Sequence, residues 1–145
     1  MPIKSFRGKI ASGSTDTIVL HTNNGSVGYK ITKFELLGND PQGTSQETTM
    51  KIFSIPQSSV TSTIDFSDQT LLAAAYYDTS SSQSYNPPAV VIFDNHIFNQ
   101  DIYITAVDSN SSAATNYYIE MEQIKLSLDE NTVATLKDIR NIQSQ

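Results

Sequence analysis

Residues 102–128 read IYITAVDSNSSAATNYYIEMEQIKLSL, two alternating runs separated by a small polar segment. In the first run Ile102, Ile104 and Ala106 share one face, while Tyr103, Thr105 and Val107 share the other. A two-residue period of this kind belongs to a strand with one face against a core. Residues 108–116 hold only Asp, Ser, Asn, Ala and Thr, with nothing to bury. The second run places Ile119 and Met121 opposite Tyr118, Glu120 and Glu122, then changes parity to Ile124, Leu126 and Leu128. Because a one-residue slip turns every side chain over, an extra residue near Glu122–Gln123 is expected to absorb the change as a bulge. The expectation is a long hairpin at the centre of an antiparallel sheet.

The rest of the chain supplies shorter partners for it. Residues 17–22 (TIVLHT) form a strand, with Ile18 and Leu20 facing away from Val19 and His21, and Asn23-Asn24-Gly25 makes a turn. Val27, Tyr29 and Ile31 open the next strand, which Phe34 and Leu36 continue on the other parity, so a bulge is expected near Thr32–Lys33. Residues 38–46 are a loop, and 48–55 are a strand stopped by Pro56. Residues 57–63 are polar loop. Residues 64–77 read two ways: Asp68 as the cap of a short alanine-favoured helix, or a strand buried on both faces, which the alternation favours. Residues 78–88 (DTSSSQSYNPP) are an exposed loop long enough to make contacts, residues 89–93 are a short strand, and Asp94-Asn95-His96 is a turn.

The two ends differ from the middle. Residues 1–14 carry few apolar anchors beyond Ile3, Phe6 and Ile10 and read as an arm or an edge strand. In residues 129–143 the period lengthens to three or four, with Asp129 and Glu130 at the start and Lys137 and Arg140 towards the end, the polarity of a short helix. Its stripe of Val133, Leu136, Ile139 and Ile142 is too narrow to stand alone. These four, with Ile3 and Phe6, are the candidate assembly contacts. The expected fold is therefore mainly β: one domain over residues 1–145, an antiparallel, jelly-roll-like β-sandwich, with 1–14 as a possible arm and 129–145 as a short C-terminal helix. Ile104, Ile119, Met121, Ile124 and Leu126 are its expected core.

Chemistry is sparse. There is no Cys and there are only His21 and His96, so neither a zinc ligand set nor a nucleophile–base pair stands out. Asp94, Asn95, His96 and Asp101 superficially suggest a metal or acid–base site, but no ligand spacing of known geometry is met, and a polar turn is the better reading. Glu120 and Glu122 lie two apart on one strand face, the usual look of a solvated sheet rather than a paired-acid hydrolase. One ring of each pair, Tyr76-Tyr77 and Tyr117-Tyr118, is expected in the core. A net charge of −6, from 15 acidic and 9 basic residues, argues against nucleic acid as a partner. No run of 18 apolar residues predicts a membrane span, and the N-terminus lacks the apolar run of a cleaved signal. Ser, Thr, Asn and Gln make up more than a third of the chain, which suits short strands joined by polar loops.

Four phrases carry a resemblance: FRGKIASGSTDTIVLHTNNGSVGYKITKFEL, VIFDNHIFNQDIYIT, NYYIEMEQIKL and TVATLKDIRNI. They resemble short virion structural proteins of tailed phages that infect marine bacteria, over nearly the whole chain. The resemblance implies a non-enzymatic part of the particle, made in the host cytoplasm, with no cofactor. Its partner would be the major capsid protein or another virion protein, and it would act as a homo-oligomer. Capsid decoration or cementing is the expected role. The alternative is a tail or fibre module that recognises a host surface glycan through residues 78–88 and 108–116.

Overall fold

The computed structural model of the chain describes residues 2–22, 26–79, 89–93 and 97–127. They form eight strands: β1 (Ile3–Ile10), β2 (Ser14–Ile18), β3 (Val27–Gly38), β4 (Glu47–Phe53), β5 (Leu71–Asp78), β6 (Ala89–Ile92), β7 (Ile102–Asp108) and β8 (Thr115–Lys125). No helix occurs among the described residues. The strands make two antiparallel sheets, one of three in the order β1-β8-β3 and one of five in the order β2-β7-β4-β5-β6. The expected C-terminal helix, the turn 23–25, most of the loop 78–88 and the turn 94–96 lie outside the described residues.

The two halves of the 102–128 stretch are strands, but they are not a hairpin. β7 pairs with β2 and β4 in the five-stranded sheet, whereas β8 pairs with β1 and β3 in the three-stranded one. The connection crosses from sheet to sheet. Alternation is identical for a hairpin and for such an arch, because in both each strand turns one face to the core. The intervening segment is longer than the two to five residues of a common hairpin loop, and Asp108 binds it to β4. Its carboxylate oxygens accept N–H groups from Glu47 (2.9 Å), Asn110 (3.0 Å), Ser111 (3.3 Å) and Ala113 (2.9 Å). Ser109 N–H adds a 3.0 Å bond to the Glu47 carbonyl.

Parity changes have two different origins here. In β3 the register against β8 shifts between Ile31 and Lys33, so Thr32 is the extra residue and Ile31, Phe34 and Leu36 all reach the core. That is the expected bulge. In β8 no bulge exists at Glu122–Gln123; pairing with β3 runs unbroken from Gly38↔Thr115 to Val27↔Lys125 apart from the slip at Thr32. Ile124 lies half-buried on the outer side with Glu122, not in the core. Leu126 is buried beyond the strand's end, where its N–H reaches the Ser26 carbonyl and its side chain covers Gly28. A Cβ on Gly28 would stand 3.0 Å from Ile97 and 3.1 Å from Leu126, so the absent side chain makes room for that cap.

One apolar core takes side chains from both sheets. Ile31, Phe34, Ile119 and Met121 come from the three-stranded sheet, and Met50, Ile52, Ile102, Ile104 and Ala106 from the five-stranded one. Residues 71–78 are a strand, and its alanines explain why: Ala73 and Ala75 join the core, while Ala74 is buried on the opposite side. Residues 54–70 cover that opposite side. They hold Lys51 at only 6% exposure, with its ammonium donating to the Thr63 carbonyl at 2.7 Å and lying 5.4 Å from the Phe53 ring centre. Burial pushes the Lys51 pKa down. Asp68 makes no helix cap; one of its oxygens accepts the backbone N–H and hydroxyl of Thr70, an Asx turn that leads into β5.

The first strand, at the edge of its sheet, is close-packed at Gly8. Tyr117 lies beneath it, with its hydroxyl 3.3 Å from Asp16 Oδ2 on β2, and burial first, then Asp16, pushes the phenol up to about 12. A Cβ at position 8 would fall 2.7 Å from the Tyr117 hydroxyl oxygen and 2.9 Å from the ring. Gly8→Ala is therefore expected to cost roughly 1–3 kcal/mol as an overpacking change. Thermal denaturation checks it, and adding Tyr117→Leu in the same background should recover part of the loss.

Candidate functional site

On the outer face of the three-stranded sheet, polar, charged and aromatic side chains converge on a concave surface. Strand register sets its rows. Arg7, Tyr118 and Glu35 lie side by side, flanked by Lys9, Asn116 and Leu37 on one side and by Ser5, Glu120 and Lys33 on the other. The intervening residues, Phe6, Ile119 and Phe34 and then Gly8, Tyr117 and Leu36, turn inwards. Alternation thus delivers every second residue of three strands to one surface without any loop taking part.

A hollow of about 540 Å³ opens in these rows, lined by Arg7, Glu35, Leu37, Asn116 and Tyr118 over the backbone of Gly8. Its polar groups are partly tied down. Lys33 Nζ stands 3.5 Å from Glu35, 3.6 Å from Glu120 and 6.0 Å from the Tyr118 ring centre. Glu35 first, then Glu120, raise the Lys33 pKa. Asn116 donates its amide N–H to the Gly38 carbonyl at 3.3 Å, and Lys9 donates to Asn39 Oδ1 at 3.2 Å. Leu37 is 59% exposed. The Arg7 guanidinium makes no hydrogen bond or ion pair among the described residues.

Charge is divided unevenly over the molecule. The three strands of this sheet hold six of the chain's nine cations (Lys4, Arg7, Lys9, Lys30, Lys33 and Lys125) but only three of its fifteen carboxylates, Glu35, Glu120 and Glu122. A sheet of net positive charge therefore sits in a chain of net charge −6. Glu120 and Glu122 do lie on a solvent-facing side, as the sequence suggested, among lysines rather than as an isolated acid pair.

The other expected sites fall as follows. Ile3 is 55% exposed on the outer row of β1, while Phe6 is partly buried and packs on the core beneath Lys4, whose ammonium is 5.8 Å from its ring centre. Val133, Leu136, Ile139 and Ile142 lie outside the described residues. Of residues 108–116, Asp108 is buried and draws the backbone of the next residues around itself, and Asn110 and Ser111 side chains donate to the Ser45 carbonyl. Tyr77 and Tyr117 are buried and Tyr76 is 38% exposed, one ring of each pair to the core as expected.

Asp101 was grouped by sequence with Asp94 and His96, which lie outside the described residues. It binds His21, 80 residues earlier. His21 Nδ1 lies 2.7 Å from Asp101 Oδ1, and the same oxygen accepts the Leu20 and His21 N–H groups at 2.9 and 3.0 Å. Burial opposes the Asp101 charge, but the His21 side chain and these two N–H donors outweigh it and hold the pKa low. The pair fastens the chain leaving β2 to the chain entering β7. Among the described residues no group of three or more His, Cys, Asp or Glu side chains is placed to hold a metal ion. No protein-family model matches the chain, and no curated protein or solved structure does either.

Proposed function

We propose that the protein is a non-enzymatic structural component of a virion, a β-sandwich of jelly-roll connectivity that decorates or cements a tailed-phage capsid. The observation that carries this reading is the strand order. In a jelly roll the first, last and third strands are neighbours in one sheet, and the second, seventh, fourth and fifth are neighbours in the other. The orders β1-β8-β3 and β2-β7-β4-β5 follow that plan for seven strands. The departure is β6, which pairs with β5 instead of β3; the free side of β3 takes Phe98, whose N–H and carbonyl exchange bonds with Tyr29 at 3.0 and 2.7 Å. Jelly rolls recur in capsid and lectin domains, and a strand order of this kind supports a place in a particle shell.

On this reading the partners are the major capsid protein or another virion protein and further copies of the chain, and the place of action is the particle surface. Cryo-electron microscopy of purified particles, with quantitative mass spectrometry, is the test. Copies in the hundreds, arrayed on the shell, are the expected result. Copies confined to the tail, on the order of a dozen or fewer, would favour the second reading, a tail or fibre module that binds a host glycan. The hollow on the outer face of the three-stranded sheet, with the Arg7 guanidinium in its wall, is the observation that favours that second reading.

A further inference from the structure

We propose that the hollow on the outer face of the three-stranded sheet binds a carboxylate-bearing sugar, such as a uronic acid residue of an acidic polysaccharide. The inference does not depend on whether the protein sits on a shell or on a tail. It rests on four features that occur together. The first is size: about 540 Å³ falls within the usual range of small-ligand pockets. The second is the guanidinium of Arg7, which lines the hollow and has no partner among the described residues. A planar fork of N–H donors matches a carboxylate with two parallel hydrogen bonds.

The third feature is the mixed character of the remaining wall. A pyranose presents a C–H face and a rim of hydroxyls. The Tyr118 ring and the exposed Leu37 side chain offer an apolar platform for the first. Glu35 accepts from hydroxyls, and Asn116, whose amide already donates to Gly38, keeps its carbonyl oxygen as a further acceptor. All these groups stand on paired strands, so little order has to be gained on binding. The fourth feature is the field. The outer rows carry Arg7, Lys9, Lys30 and Lys33 against Glu35, Glu120 and Glu122, a small excess of positive charge on one face of a chain of net charge −6.

The same features argue against other anionic occupants. A nucleic acid backbone would set its phosphates against Glu35, Glu120 and Glu122, which interleave with the lysines along the rows. An acidic face of a second copy would meet a concave surface rather than a flat one.

Titration of the full chain with a galacturonic acid trisaccharide, followed by calorimetry and by NMR chemical shifts, tests the proposal. Galactose trisaccharide serves as the neutral comparison. The expected result is saturable binding of the uronate at least tenfold tighter than the neutral sugar, weakening as salt is raised. Arg7→Gln should remove most of that preference, and Tyr118→Ala should weaken both sugars. Lys125→Gln, at the far end of β8, should change the affinity by less than about twofold. Melting curves establish that each variant is folded, and Arg7→Lys, which keeps the charge but loses the fork, provides a second reading of the same contact. Three outcomes would overturn the proposal: equal affinity for the two sugars, no binding at millimolar uronate, or a uronate preference that Arg7→Gln leaves intact. Self-association that Arg7→Gln abolishes, without sugar binding, would overturn it in favour of a protein interface.

Discussion

Ile104→Asp should leave no folded protein at room temperature. Ile104 has no exposed surface, stands between Asp16 on β2 and Ile52 on β4, and belongs to the core that both sheets share. Two losses add. Removing the side chain gives up roughly 1.5–3 kcal/mol of apolar burial, and placing a carboxyl there costs several kcal/mol more whether it stays charged or takes a proton. Asp16, its neighbour across the pair, makes matters worse by adding like charge. A domain of this size is stable by only about 5–15 kcal/mol, so the change consumes most or all of the margin. Circular dichroism and solubility measure the outcome. A soluble variant melting within a degree or two of the parent would show that the two sheets do not depend on this contact.

Asp108→Ala should be the most damaging substitution of a polar residue, at about 2–4 kcal/mol. Four backbone N–H groups lose their acceptor, and each one left unmade and buried costs about 1–3 kcal/mol, reduced where Asn110 and Ser111 gain water. Asp108→Asn should be little better. Glu47 and Asn110 donate to one carboxylate oxygen while Ser111 and Ala113 donate to the other, so either orientation of an amide points its NH₂ at two donors.

Acid should reveal the same carboxylate. Burial alone would raise the Asp108 pKa, but the N–H donors, with Ala113 and Glu47 foremost, outweigh it and hold the value below the ordinary range. A depressed folded-state pKa contributes stability that is fully present above the unfolded value, about 3.9, and is lost as pH falls through the lower folded value. The gap in melting temperature between parent and Asp108→Ala should therefore be constant from neutral pH down to about pH 5 and close below about pH 4. A gap that persisted unchanged into strong acid would mean that the loop is held by something other than this charge.

Local patterning determined a good deal of this protein by itself. Alternation in residues 27–36 and 102–107 identified the core-facing side of each strand, because a strand against a core must repeat every two residues. The strand expected over 17–22, in contrast, ends at Ile18, 48–55 are buried throughout, and Val90 and Val91 are exposed. The switch from Ile31 to Phe34 located the bulge at Thr32 for the same reason: only an inserted residue keeps both halves inward. Leu71 to Tyr77, apolar on both parities, were a strand covered on both sides. At Ile124 and Leu126 this logic failed, since a parity change can also come from a strand that simply ends, leaving Leu126 to fold over Gly28.

Only the tertiary structure decided which strands are neighbours. A periodic run records that it has a buried face and says nothing of whose face it meets, so β7 and β8 read as a hairpin although they lie in different sheets. The pairings that matter join residues far apart in the chain: Tyr118 with Arg7 and Glu35, Asp101 with His21, Asp108 with Glu47. The hollow is legible in no single segment for that reason. Its Arg7, Tyr118 and Glu35 lie on three different strands, and they become one surface only when β8 inserts between β1 and β3. Local sequence sets which face of each strand is wet, and long-range pairing sets which wet faces combine.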